Sequence, residues 1–203
     1  MAETTSGLRS ILSNPLVYEI VQRIFGGFSG RRTLVERFIR PEQGDRVLDI
    51  GCGPADLLRS MPDVRYVGYD PSARYIESAR EAFRSRGQFF VGRFGRSDLA
   101  RHEPFDIALL TGVLHHLDDG EAADLLALLH AAIRPGGRLI TLDPVFIDNQ
   151  NPIARKLIEW DRGANVRTVE AYRALAAPHF HGVRETILHK ALPPYTLFIM
   201  ECS

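Results

Sequence analysis

The run Arg46-Val-Leu-Asp-Ile-Gly-Cys-Gly53 constrains this chain more than any other stretch. Its apolar half reads as a buried strand. Its glycines read as a tight turn out of that strand, where backbone N–H groups and a ligand approach one another with no Cβ between them. The residues that follow keep the same rhythm: strand Arg65 to Asp70, helix Ser72 to Arg86, strand Gln88 to Phe94, strand Asp106 to Thr111, helix Asp119 to Ile133, turn Arg134-Pro-Gly-Gly137 and strand Arg138 to Asp143. Alternation of this kind implies a parallel sheet with helices on both faces and right-handed crossovers.

The flanks differ. Asn14-Pro15 opens a helix with Leu16, Ile20, Val21, Ile24 and Phe25 at helical spacing, and a second short helix from about Arg31 to Ile39 stops before Pro41. Residues 144 to 167 read as an insertion carrying one helix, Pro152 to about Trp160, and a further helix starts at the N-cap Thr168 and ends before Pro178. Val183 to Ala191 and Tyr195 to Cys202 are separated only by Leu192-Pro-Pro194. A parallel crossover needs about a dozen residues or more, so these two strands form an antiparallel hairpin, one strand of which is expected inside the sheet. The expected fold class is α/β, a Rossmann-like doubly wound, mostly parallel seven-stranded sheet with an antiparallel C-terminal hairpin.

A chain of 203 residues fits one domain with a sizeable core. Its 25 basic and 25 acidic residues cancel. Nucleic-acid binding draws most of its affinity from a basic excess, so a nucleic-acid partner is not expected. No apolar stretch approaches the ~20 residues of a membrane span, and the N-terminus lacks a basic-then-apolar leader pattern, so a cytoplasmic protein with no membrane partner is expected. Cys52 and Cys202 are too few for a disulfide framework.

Within the turn, Asp49-Ile-Gly51-Cys52-Gly53-Pro-Ala-Asp56 points to a nucleotide-type ligand. Asp70 ends the next strand, where a carboxylate can accept from two ribose hydroxyls. A dinucleotide fold normally carries a third glycine where this chain has Asp56, whose charge would oppose a pyrophosphate. Asp49, buried in an apolar strand, needs a cation or backbone donors, and a ligand bearing an ammonium group would satisfy it.

These residues resemble the class I S-adenosylmethionine-dependent methyltransferases. The resemblance rests on Val47-Leu-Asp-Ile-Gly-Cys-Gly53, Tyr66-Val-Gly-Tyr-Asp70, Phe105 to Thr111, Val113-Leu-His-His-Leu117 and Ile133 to Ile140. It implies S-adenosylmethionine as cofactor and S-adenosylhomocysteine as product. Asp49, Gly51, Cys52 and Gly53 would surround the methionine end, Asp70 and Pro71 the ribose, and Thr111 with Leu114 the floor of the transfer pocket, while Tyr18 on the first helix would reach the cofactor carboxylate. Many relatives meet the adenine with an acid after the third strand, but this chain has Gly92-Arg-Phe-Gly95, which leaves Phe94 stacking, a backbone pair or the more distant Asp98. The implied organisation is lid helices over 1–40, a cofactor-binding core over 44–143, an acceptor-side insertion and helix over 144–182 and the hairpin over 183–203.

Methyl transfer needs alignment and, for a hydroxyl acceptor, a base. His115 and His116 follow the fourth strand and Asp143 ends the fifth, all at the carboxyl edge where ligands bind, so they are the catalytic candidates. His116 is preferred, because the histidine of this loop in the family more often stands second. The opposing reading is that these histidines pack or cap the next helix and Asp143 caps a loop. No ligand-spaced set suggests a metal. The expected reaction is methyl transfer to O or N of a small molecule. The alternatives are a non-catalytic cofactor-binding partner subunit and, further off, a dinucleotide-dependent oxidoreductase. Leu192-Pro-Pro-Tyr195 lies on the wrong strand and lacks the polar first residue of the amino-methylating motif. Arg155, Arg162 and Arg167, in the expected acceptor cover, either fork onto an acidic substrate group or pair on the surface. Oligomeric state is not legible.

Overall fold

The computed structural model describes residues 28–160 and 164–203. Helix α1 (Phe28–Leu34) runs into a wider helical turn, Val35–Ile39, that ends at Arg40 in a left-handed conformation. Then follow β1 (Arg46–Ile50), a tight helical turn at Asp56–Ser60, β2 (Arg65–Asp70), α2 (Ala73–Phe83), β3 (Gly87–Val91), α3 (Arg96–Leu99) and β4 (Phe105–Thr111). A second tight turn, Leu114–His116, leads to α4 (Asp119–Ala132), β5 (Ile133–Phe146), α5 (Pro152–Glu159), β6 (Arg167–Thr168), α6 (Val169–Ala176), β7 (Val183–Ala191) and β8 (Pro194–Cys202).

The strand order is β3-β2-β1-β4-β5-β8-β7, with β6 pairing β5 off that path. β1 pairs in parallel with both β2 and β4. The chain therefore builds outward from β1 to β3 and returns to the other side of β1, and the carboxyl ends of β1 and β4 flank the point of reversal where such sheets open a crevice. Because successive strand residues face opposite ways, Val47, Ile107, Leu109 and Leu142 point into a core shared with α1, α2 and α5, whereas Leu48, Ala108, Leu110 and Leu139 point into one shared with α4 and α6. Both faces are covered, which is why these strands read as unbroken apolar runs.

β8 lies between β5 and β7, antiparallel to both, as the short Leu192-Pro-Pro194 connection requires. It is buried at seven of its nine positions, while β7 alternates like an edge strand. Thr168 caps α6 by accepting from the Ala171 N–H at 3.3 Å, and Ser72 caps α2 from Tyr75.

Three local expectations change. The expected turn at 134–137 belongs to β5, which starts at Ile133 opposite Phe105 and shifts register before Ile107. Gly137 allows this, since a Cβ there would lie 2.8 Å from the Asp106 carbonyl oxygen. β3 stops at Val91 rather than Phe94, where Gly92 leaves strand geometry with φ 132°. The sheet has eight strands instead of seven, the extra one being β6 inside the expected insertion. Among the described residues, no helix is long and apolar enough to cross a membrane.

Candidate functional site

The turn after β1 is shaped by backbone before any side chain acts. The Gly51 and Cys52 N–H groups both donate to the Tyr69 carbonyl, at 2.8 and 3.1 Å, tying the turn to the end of β2. Gly51 has φ 70°, and a Cβ there would meet the Val113 side chain at 2.7 Å, so only glycine fits. Asp70 braces the same turn: one carboxylate oxygen accepts from the Gly53 N–H at 2.9 Å and the other from Ser72 at 2.8 Å.

Asp49 is 2% exposed. The Tyr66 hydroxyl, from the neighbouring strand, donates to its Oδ2 at 2.5 Å, and its Oδ1 has no hydrogen-bond partner among the described residues. Burial pushes the Asp49 carboxyl up to about 7; the tyrosine bond opposes that shift and the nearby Asp70 charge adds to it. The same burial drives the Cys52 thiol well above its ordinary range, so this cysteine is a packed neutral group.

These groups border a cavity of about 1030 Å³ over the carboxyl ends of β1, β2 and β4. That is at the upper end of the ~300–1,000 Å³ of ligand pockets, enough for a nucleoside-sized molecule and a second small one. Asp49, Gly51, Cys52, Gly53, Asp70 and Pro71 line it, as do Phe94 and Thr111. Phe94 is turned inward, edge-on to Tyr69 with ring centroids 5.2 Å apart. Asp98 does not reach the cavity wall. Its carboxylate is spent on the Gly95 N–H at 2.9 Å and on Arg101 at 3.0 Å.

At the other side of the crevice, His115 Nδ1 lies 2.7 Å from Asp143 Oδ1, and the His115 backbone N–H donates to the same oxygen at 3.2 Å. A carboxylate oxygen that already accepts one N–H takes Nδ1 as a second donor, which leaves Nε2 as the unprotonated ring nitrogen of the neutral imidazole. Burial pushes the Asp143 carboxyl above its ordinary value, against the pull of His115 and of the Arg167 charge. Asp143 Oδ2 has no hydrogen-bond partner among the described residues.

The structure thus brings most of the expected residues together, with corrections. The acid pairs with His115 and leaves His116 exposed at the cavity rim, the reverse of the expected preference. Asp143 stands behind His115, not on the wall. Leu114 is not a pocket floor: at 0% exposure it packs into the α4 and α6 core, because the tight turn points it away from the crevice. Tyr18 and Arg162 lie outside the described residues. Arg155 pairs with Glu159 at 3.4 Å and lies over Phe146. Arg167, far from forking onto a ligand, is buried against the turn that carries His115.

Sequence reasoning missed two groups. Arg31, on α1, lines the cavity and pairs with Asp56 at 3.0 Å, so the charge that opposes a pyrophosphate is held by a neighbouring helix. Leu142, Leu157, Trp160 and Tyr195 form an apolar and aromatic wall, of which only Trp160 carried a sequence signal as part of the expected cover.

A family model described as a methyltransferase domain matches residues 48–139, the segment running from the glycine turn to β5. Over this segment the chain is similar to the class I S-adenosylmethionine-dependent methyltransferases. It is 28% identical over 127 residues to an uncharacterized methyltransferase of Anoxybacillus flavithermus, covering 61% of this chain and 58% of the relative. It is 33% identical over 136 residues to a tRNA U34 carboxymethyltransferase of Pseudoalteromonas translucida, covering 64% of this chain and 41% of that one. Among solved structures, an O-methyltransferase family 2 protein of Planctomyces limnophilus in complex with apigenin superposes with a TM-score of 0.66 at 19% identity, over 93% of this chain and 60% of its own. The chain spans about half the length of the curated relatives it matches.

The residues present fit the cofactor of this methyltransferase family. A buried carboxylate oxygen at Asp49 has no partner among the described residues where an ammonium group would go, a glycine turn with φ 70° at Gly51 and 54° at Gly53 leaves room for close approach, and an acid at the end of β2 stands where a ribose would lie.

Proposed function

We propose that the protein methylates a hydroxyl oxygen on a small apolar acceptor, with His115 as general base and Asp143 holding it. The observation that supports this reading most is the buried His115–Asp143 pair at the wall of a cavity that also holds the glycine turn. Bound there, S-adenosylmethionine supplies a methyl group on a sulfonium that departs as a thioether when the acceptor oxygen attacks. Asp49 would hold the ammonium end, Arg31 the carboxylate, Asp70 and Pro71 the ribose and Phe94 the adenine. Gly51, Cys52, Gly53 and Thr111 would shape the space between.

A phenolic hydroxyl ionises near pH 10, so at neutral pH it attacks poorly until its proton is removed. A neutral imidazole is matched to that task and gains typically 10² to 10⁴ in rate. Asp143 keeps the proton on Nδ1, which leaves Nε2 to receive the hydroxyl proton. An amine acceptor is already nucleophilic and would leave this pair without a role. The wall of Leu142, Leu157, Trp160 and Tyr195 would exclude water and accept an apolar ring. The balanced charge of the chain weighs against a polyanionic acceptor.

The test is incubation with methyl-labelled S-adenosylmethionine and a panel of hydroxy-aromatics, aliphatic alcohols, aromatic amines and total tRNA. Label in an acid-stable ether of a hydroxylated acceptor, lost in His115→Asn, is expected. Label entering only amines or tRNA would sink the oxygen assignment.

A further inference from the structure

The two histidine candidates sit on a short turn closed by two backbone bonds, the His116 N–H to the Val113 carbonyl at 3.0 Å and the Leu117 N–H to the Leu114 carbonyl at 3.2 Å. Leu114–His116 is one tight turn with no side-chain cap, entered through Gly112 at φ 71°. Asp143 accepts the His115 N–H, and the further support comes from about 50 residues further along the chain. Arg167 is 8% exposed. Its Nη1 donates to the Leu114 carbonyl at 2.8 Å and to the Asn165 carbonyl at 3.0 Å. Its Nη2 donates to the Leu117 carbonyl at 2.7 Å, and its Nε to Asp119 Oδ1 at 2.8 Å. The Asn165 N–H donates to the His115 carbonyl at 3.0 Å. Three carbonyls of the turn, at 114, 115 and 117, are therefore gripped by residues 165 and 167.

The grip is anchored on the other side as well. Arg167 opens β6, which pairs with Val145 and Phe146 on β5, two residues beyond Asp143. Its guanidinium lies over Tyr172, whose hydroxyl donates to the Pro144 carbonyl at 3.1 Å. One side chain thus ties the turn that carries the histidine to the strand end that carries the acid.

We propose that Arg167 is a positioning residue for the His115–Asp143 pair, acting as a fork that sets the turn relative to β5; this rests on the reading of His115 as the base. The guanidinium works by geometry. Its rigid plane presents donors in several directions at once, which a lysine ammonium on a flexible stem does not reproduce. Asp119 contributes little, because its side chain is 84% exposed and the ion pair is open to water.

The experiment follows the ring nitrogens of His115 by ¹⁵N NMR in full-length protein, alongside calorimetry with S-adenosylhomocysteine. Wild type is expected to show one fixed Nδ1–H tautomer. In Arg167→Lys that signature should be lost, the two ring signals moving toward a common averaged shift, while affinity for S-adenosylhomocysteine stays within about threefold, since the cofactor ligands lie on other turns. Asp119→Asn should keep the wild-type spectrum. A fixed tautomer that survives in Arg167→Lys, or that is lost equally in Asp119→Asn, overturns the fork. A wild-type His115 with no fixed tautomer overturns the base assignment, and the fork with it. If the lysine variant does not fold, the wild-type Arg167 guanidinium decides: separate Nη1 and Nη2 signals with hindered rotation are expected, and one averaged signal overturns the inference.

Discussion

The Gly53 backbone N–H donates to Asp70 Oδ2 at 2.9 Å, so the acid that ends β2 is wired to the glycine turn of the neighbouring strand in the protein itself. The other oxygen of Asp70 takes the Ser72 N–H. Ligand contact and loop construction share one carboxylate.

Asp70→Ala should therefore lower both affinity and stability. Each hydrogen bond to a charged group contributes ~1.5 to 3 kcal/mol, and two are lost, with partial compensation by water. A fall in Tm of roughly 4 to 8 °C, read by calorimetry, corresponds to a loss of about 2 kcal/mol in a domain of this size. Titration with S-adenosylhomocysteine should show at least about tenfold weaker binding. Unchanged affinity in this variant would contradict the ribose assignment.

Asp49 makes cofactor binding depend on pH. Its carboxyl is raised to about 7 in the folded protein, chiefly by burial. Holding an ammonium group requires the ionised form, so affinity for S-adenosylhomocysteine should rise with pH up to about 7 and then level off, by up to about tenfold per unit on the acid side. Stability of the ligand-free protein should move the other way. A carboxyl whose folded value lies above its unfolded one contributes stability that is fully present below pH ~4 and is lost as pH rises through 7. Asp49→Asn should flatten both profiles, and a binding profile that keeps its slope in that variant assigns the titration elsewhere.

His115 and His116 separate cleanly because only one of them meets Asp143. Once an acceptor is identified, His115→Asn should reduce kcat by roughly 10² to 10⁴, and Asp143→Asn should follow it, with cofactor affinity within about threefold in both. His116→Asn, at the exposed rim, should stay within about threefold. Loss of turnover in the His116 variant alone would transfer the base to that residue.

Truncation after Gly182 should unfold the domain. β8 supplies Leu197 and Ile199 to one core and Phe198 and Met200 to the other, and all four are buried. Removing the hairpin leaves β5 an open edge and takes buried apolar side chains out of both cores. Circular dichroism and loss of a cooperative melt are the readout; a truncated form that melts cooperatively and binds S-adenosylhomocysteine would show the hairpin to be peripheral.

The features legible without coordinates are those whose cause is local. Strand β1 announces itself because an apolar run buried on both faces has no other use, and Gly51 because its turn leaves no room for a Cβ. Asp70 falls where a strand of fixed rise ends, and the hairpin follows from a connection too short to cross over. Each of these is settled within a few residues.

What tertiary structure decided depends on residues distant in the chain arriving at one point. Tyr66 meets Asp49 only because β2 pairs with β1 in one register, and that bond together with burial sets how the acid titrates. The acid at 143 meets His115 and not His116 because a single tight turn points neighbouring side chains in different directions, and nothing in the pair His115-His116 says which one faces β5. Arg167 shows the limit most clearly. As a sequence it is one arginine among several between 144 and 167, with no period and no motif. Its partners at 114, 117 and 119 become its neighbours only after β6 has docked beside β5, so its role is a consequence of the fold and has no local signature to read.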